Sequence, residues 1–307
     1  MRVMIAGGSG LIGHELTSLL INNGEEVTIL SRKPARVTGM PPQARILQWD
    51  GKTVQSWAED IERTDAVVNL TGENLSGEGF FPSRWTTERK EKILNSRLDS
   101  GRVLTEAIRK ANHRPAVFIQ ASGINHYGTG WSKTLTEADG PGDDYLAKLT
   151  IDWEASSDPV EAMGVRRVIT RNGMVLSSRG GALPLILLPF RLFVGGPLGS
   201  GKQVYSWIHI MDVANGIRFL VHNENAAGAY NLTSPYPVTD AEFGKTVSKV
   251  MKRPYYFPIP GFAMQLAFGE VAALVLHGEE VLPARLLELG YAFRFPRLFD
   301  ALSDLLR

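Results

Sequence analysis

Three glycines at three-residue spacing, Gly7, Gly10 and Gly13, lie between an apolar run (Arg2 to Ala6) and a helical pattern that reaches Gly24. Glycine at such a turn lets the backbone bend sharply, approach a pyrophosphate and pack the following helix tightly on its strand. The chemistry on offer is anion binding, because the free N–H groups at the start of a helix carry partial positive charge. The whole turn, Gly7, Gly8, Ser9, Gly10, Leu11, Ile12 and Gly13, is therefore the first candidate binding element. The second is Ser31-Arg32-Lys33, which follows another apolar run, Val27 to Leu30. An acidic residue at this place, about twenty residues past the glycines, would bind the ribose hydroxyls of NAD. None is present, and the planar guanidinium of Arg32 suits a 2′-phosphate and stacking on adenine. These residues predict NADP (NADPH) rather than NAD; the plainer reading leaves Arg32 and Lys33 as solvated loop charges.

The elements that must position these residues read as strand, glycine turn, helix, strand. Further apolar runs at Arg45 to Trp49, Asp65 to Leu70, Pro115 to Ala121 and Val165 to Thr170 alternate with helix-length segments. That alternation predicts an α/β fold, a Rossmann-type doubly wound parallel sheet with a smaller C-terminal substrate region. Leu70, Thr71 and Gly72 fall at a strand's carboxyl end, where doubly wound folds bind ligands, or else form a mere turn. Arg97 sits within the apolar stripe of a long helical pattern from Arg84 to Asn112, either solvated or aimed at the cofactor's phosphates or ribose. A later strand delivers Ser122-Gly123 and then Asn125-His126-Tyr127-Gly128 to the same edge. Asp143-Asp144 opens the helix that holds Tyr145, Lys148, Trp153 and Glu154. The domain reading is a nucleotide-binding unit over 1–170, a substrate region interleaved with the sheet over 171–257, and a C-terminal segment over 258–307. The substrate is expected to lie over Gly195 to Gly201 and Trp207 to His209.

Composition narrows the function classes. With 307 residues the chain can bury a substantial core. Its 33 Lys and Arg against 32 Asp and Glu leave no overall field to recruit nucleic acid or an anionic membrane. Cysteine is absent, which excludes disulfides, thiolate metal sites and a cysteine nucleophile. The histidines include no pair at i, i+4, so no zinc site is expected. The longest apolar stretches are interrupted by Pro189 and Arg191 or by Gln265, Gly269 and Glu270, which argues against a membrane span. The chain opens directly on a strand without a secretory pattern, and a cytoplasmic location is expected.

Gly7-x-x-Gly10-x-x-Gly13, Asn69-Leu70-Thr71-Gly72, Ser122 ahead of Tyr127-Gly128, and Tyr145 together resemble the extended short-chain dehydrogenase/reductase superfamily. More narrowly, Arg84-Trp85, Ser96-Arg97, Trp153-Glu154, Gly195 to Gly201, Ser206 to Ile210 and Val281 to Arg285 are similar to its atypical NAD(P)-dependent epimerase/dehydratase-like branch of the bacterial YfcH type. The resemblance covers the whole chain. It implies that Ser122, Tyr145 and Lys148 carry the chemistry: the serine holds the reacting oxygen and the tyrosine gives or takes a hydroxyl proton while a hydride moves to or from the nicotinamide. The lysine would lower the tyrosine pKa and hold the ribose. Here the sequence departs from the superfamily's Y-x-x-x-K, since Leu149 stands four residues past Tyr145 and Lys148 three. On a helix that single step swings the side chain by about 100°. Relatives also imply a homodimer, through two long helices over Arg84 to Asn112 and Tyr145 to Met163.

Two functions are therefore expected. One is an NADP-dependent oxidoreductase or epimerase-like enzyme acting on a small hydroxyl or carbonyl substrate, nucleotide-linked compounds included. The other is an NADP-binding regulatory or binding protein with lost or weak catalysis.

Overall fold

A computed structural model describes residues 1–77, 79 and 81–306. Its first half runs β1 (Arg2–Ala6), α1 (Leu11–Asn22), β2 (Glu26–Ser31), β3 (Arg45–Gln48), β4 (Ala66–Asn69), α2 (Thr87–Lys110), β5 (Val117–Gly123), α3 (Tyr145–Ala155) and β6 (Arg166–Asn172). The second runs β7 (Met174–Leu176), α4 (Leu183–Arg191), β8 (Val204–Tyr205), β9 (Trp207–His209), α5 (Ile210–His222), β10 (Gly228–Leu232), β11 (Val238–Thr239), α6 (Asp240–Met251), α7 (Gly261–Phe268), α8 (Ala273–Leu276), α9 (Ala284–Glu288) and α10 (Leu298–Leu305).

Seven strands form one sheet in the order β3-β2-β1-β4-β5-β6-β10, every neighbouring pair parallel. The chain winds outward from β1 through β2 to β3, then returns to β4 on the other side of β1. The reversal opens a crevice at the carboxyl ends of β1 and β4, where such sheets take their ligands. Both faces are covered, so the strands are apolar on both sides. Val3 and Ile5 join one buried core with Leu16 and Leu20 of α1 and Ile217 and Leu220 of α5. Met4 and Ala6 join the other with Leu104 and Ile108 of α2, Phe118, Trp49 and Trp57.

A third core lies in the second half of the chain. Leu187 and Phe190 of α4, Phe243 and Val247 of α6, Trp207, and Leu298 and Leu302 of α10 pack together. Two polar anchors tie the late segments to the sheet. The Asp212 carboxylate accepts the N–H groups of Arg294 and Phe295 at 2.7 and 2.8 Å, and the Arg285 guanidinium donates to the carbonyls of Ala229 and Ala227 at 2.7 and 2.8 Å. The helix expected to reach Met163 stops at Ala155. A 3-10 segment, Asp158–Met163, replaces its end because Pro159 has no N–H to continue the ladder. Among the described residues no helix is long and apolar enough to cross a membrane.

Candidate functional site

The glycine turn is built with no room for side chains. A Cβ on Gly13 would lie 2.5 Å from the Gly7 carbonyl oxygen and from Gly8 Cα, and one on Gly8 would lie 2.7 Å from Ile29 Cγ2. Gly7 has φ +79° and would press a Cβ to 2.9 Å from the Leu70 carbonyl, which locks β1's exit against the Leu70-Thr71-Gly72 turn of β4. That turn is held from below by Asn69. Its amide donates to Gln120 Oε1 at 3.1 Å, and its oxygen accepts from the Thr71 N–H at 3.2 Å and from the Thr71 hydroxyl. Gly10 caps α1 with no side-chain hydrogen bond, and α1 has no acidic residue in its first turn. The helix's positive end is thus free for an anion. Ser9 is exposed, and Leu11 and Ile12 are half-buried beside it.

At the end of β2, Ser31 is buried and its hydroxyl accepts the Lys33 N–H at 3.2 Å. Arg32 and Lys33 are exposed, and neither forms an ion pair among the described residues. Arg97 is 7% exposed, so it is not a solvated arginine. Its Nη1 donates to the carbonyls of Glu73 and Ile93 at 3.1 and 3.0 Å, its guanidinium lies 4.7 Å from the Trp153 ring, and a Cβ on Gly72 would meet its Cζ at 3.0 Å. Burial lowers its pKa to about 10, which leaves it charged at neutral pH, and its buried Nε has no partner. A bare helix start, glycines where a Cβ would collide, a free basic pair after β2 and a buried guanidinium nitrogen without an acceptor all fit a dinucleotide with its phosphates at α1.

Ser122 stands near the carboxyl end of β5, in a buried polar web. It is 4% exposed, and its hydroxyl donates to Glu154 Oε1 at 2.7 Å. Glu154 in turn takes a forked pair from Arg171, Nε to Oε1 and Nη2 to Oε2, both at 3.0 Å. Arg171 Nη1 donates to the Tyr127 hydroxyl at 3.1 Å, and that hydroxyl donates to Asn231 Oδ1 at 2.8 Å. Burial works against the Arg171 charge, but the Glu154 carboxylate outweighs it and holds the guanidinium above its ordinary pKa. His126 lies 3.5 Å from Glu154, and burial pushes its pKa down, so the ring is neutral. The Ser122 hydroxyl proton is committed to Glu154, which leaves the oxygen's lone pairs to accept from a ligand.

Tyr145 starts α3 behind Asp144, whose carboxylate accepts the Ala147 N–H at 2.8 Å. Its ring packs on Trp85 at 5.5 Å with Lys90 Nζ 4.8 Å from its centroid, and its buried hydroxyl has no hydrogen-bond partner. Burial raises its pKa, with Lys90 and Arg97 pulling the other way. The phenol is therefore protonated at neutral pH. Lys148 is exposed, while Leu149 is buried against Ile93 and Leu146. The one-place displacement sets Lys148 about 60° round the helix from Tyr145, on the other side from Leu149 and about 100° from the direction an i+4 lysine takes.

Tyr145 lines a cavity of about 710 Å³ that reaches Asn125 after β5 and Asn172 at the end of β6. Gly196 and Leu198 of the expected substrate loop line it too. Trp207 and His209 do not: β9 pairs with β7, and its side chains are buried in the core. Glu154, Arg171 and Asn231 were not singled out as site residues from sequence. The one local signal was a glutamate beside Trp153 on a helix whose neighbours are buried.

The chain matches the family model of the NAD-dependent epimerase/dehydratase family over residues 3–233, and that of a domain of unknown function (DUF1731) over 259–305. It is 37% identical over 309 residues to the epimerase family protein YfhF of Bacillus subtilis, covering 100% of this chain and 98% of that protein. The crystal structure of human epimerase family protein SDR39U1 with NADPH superposes with a TM-score of 0.86 at 35% identity, covering 99% of each chain. A nucleoside-diphosphate sugar epimerase from Corynebacterium glutamicum gives a TM-score of 0.78 at 29% identity, covering 100% of this chain and 58% of that one. The glycine turn, the switch-point crevice and the cavity beyond it thus lie in a chain that belongs to the NAD-dependent epimerase/dehydratase family.

Proposed function

We propose that this protein is an NADP(H)-dependent oxidoreductase of the epimerase type that acts on a hydroxyl or carbonyl group of a small substrate held against Tyr145. The preference for NADP rests on Arg32, an exposed guanidinium free of carboxylate partners at the end of β2, and on the NADPH bound by the human relative. The nicotinamide of a bound NADP(H) would supply or accept the hydride at the substrate carbon. Gly7 to Gly13 and the start of α1 bind the pyrophosphate, Ser31, Arg32 and Lys33 the adenosine end, and Leu70 to Gly72 with Arg97 the central part. Tyr145, kept protonated, gives its proton to the substrate oxygen in the reducing direction and takes it back in the other. Ser122 accepts from a substrate hydroxyl through the lone pairs that its bond to Glu154 leaves free.

The observation that carries this reading is the Tyr145 hydroxyl: buried, unpartnered and in the wall of a cavity at the carboxyl edge of the sheet. Tyr145→Phe tests it. Single-turnover transfer from NADPH to any accepted carbonyl compound is expected to fall by about 100-fold or more with NADPH affinity unchanged; an unchanged rate refutes the role of Tyr145. A second reading, an NADP-binding regulatory protein without turnover, is favoured by one observation, the exposure of Lys148. It predicts that no carbonyl compound is reduced by either form.

A further inference from the structure

The cavity over Tyr145 carries the wrong chemistry for a nucleotide-linked substrate, and, on the reading that this cavity is the substrate site, we infer that the substrate is an uncharged compound with a largely apolar body. One wall is α4, through Leu185 and Leu188; the facing wall is α7 and α8, through Met264, Phe268 and Leu274. Among the described residues that line the cavity there is no lysine or arginine. A sugar nucleotide brings a diphosphate with two negative charges, which proteins hold with guanidinium and ammonium groups. Besides the phenols of Tyr145 and Tyr205, the ionisable groups the diphosphate would meet are His277 and four carboxyls, Asp144, Asp240, Glu270 and Glu279.

Those carboxyls do not call for a cationic substrate either, because the protein already occupies each. Asp144 caps α3 through the Ala147 N–H, Asp240 accepts from the Leu198 N–H at 2.9 Å and from the Tyr205 hydroxyl at 3.0 Å, and Glu279 accepts the Gly130 N–H at 2.7 Å. Glu270 pairs with Lys90 at 2.6 Å, which also engages the ammonium that lies over the Tyr145 ring. Asn125 and Asn172 line the cavity with Tyr145, and α4, α7 and α8 supply hydrocarbon through Leu185, Leu188, Met264, Phe268 and Leu274. An apolar chamber with a few convergent polar groups at one end takes an alcohol or ketone whose remaining atoms are apolar. This departs from the substrate class named for the Corynebacterium structure.

The test uses the full chain saturated with NADP+, after NADPH binding has been measured on its own by calorimetry. Nile red, an uncharged dye, is titrated in, then challenged with 2-undecanone, UDP or UDP-glucose. The dye is expected to bind one per chain and to be displaced by 2-undecanone, but not by UDP or UDP-glucose at about 1 mM. Leu185→Asp on one wall and Phe268→Asp on the other are each expected to weaken dye binding by about 10-fold or more. NADPH affinity in both variants serves as the check that the sheet is intact. Displacement by UDP or UDP-glucose, or no dye binding to a chain that holds NADPH, overturns the inference while leaving the cofactor assignment standing. Failure of NADPH to bind at all instead strikes the proposed function.

Discussion

Replacing Glu154 by glutamine removes the one charge that balances Arg171, without changing the size of the side chain. The two side chains are each 9% exposed and share two bonds of 3.0 Å. Breaking a buried ion pair from one side costs about 3–5 kcal/mol, because the surviving charge stays desolvated. Unfolding entropy of roughly 2 cal/mol/K per residue makes about 0.6 kcal/mol/K for a chain of this length, so Tm should fall by about 5–8 °C. Thermal unfolding followed by near-ultraviolet circular dichroism measures this directly. Arg171→Met should cost a similar amount, but the double variant should lose less than the two together, with a coupling of about 2 kcal/mol or more. The glutamine oxygen at the Oε1 position can still accept from Ser122 and from Arg171 Nε, so the lost bond is the one from Arg171 Nη2, which would face an NH2 group. Additive losses in the double-variant cycle, or a Tm drop under about 1 °C for Glu154→Gln, would refute the argument that this pair is the charged centre of the buried web.

Other outcomes follow from single contacts. Gly13→Ala places a methyl 2.5 Å from the backbone of Gly7 and Gly8, so it should cost about 1–3 kcal/mol in urea unfolding and sharply weaken NADPH binding; full retention of both would contradict the turn geometry. Arg32→Asp should weaken NADPH by about 10-fold to 100-fold in calorimetry while changing NADH little, and an unaltered preference would remove the case for NADP. His209 is buried at the start of α5, where its Nδ1 accepts the Met211 N–H at 3.1 Å. Burial pushes its pKa down to about 4 from 6.5, against the pull of Asp304. The unfolded chain therefore takes up this proton first as pH falls. The stability His209 contributes is full above about pH 6.5 and is lost towards pH 4, the loss reaching roughly 2 kcal/mol by pH 5. In His209→Asn, which can still cap the helix, the fall in urea midpoint between pH 7 and pH 5 should be smaller; an equal fall would show that another group drives it.

The glycine turn and its sheet were legible because their demands are local: three spacings and two apolar runs determine a strand, a bend and a helix. Arg97 was legible as a position in an apolar stripe, but not as a buried cation, since the carbonyl of Glu73 and the Trp153 ring that surround it come from other elements. The Ser122–Glu154–Arg171 web was hidden for the same reason. Its members sit on β5, α3 and β6 and meet only when β6 pairs with β5, with Ser122 opposite Arg171. The step from Leu149 to Lys148 could be read from spacing alone, and the buried Leu149 beside an exposed Lys148 follows from it. The apolar segment from Phe262 to Leu276 is indistinguishable in sequence from an ordinary core helix, yet several of its side chains face open space.

Because the outer wall of the chamber is drawn from residues between Ile259 and Glu279, it leaves the ribosome only after β10, the last strand of the large sheet. Under the proposed function, coenzyme recognition and substrate enclosure are thus separated in the order of synthesis. A nascent chain halted before Ile259 would carry the glycine turn and all seven strands of the sheet beneath a trough open to water on that side.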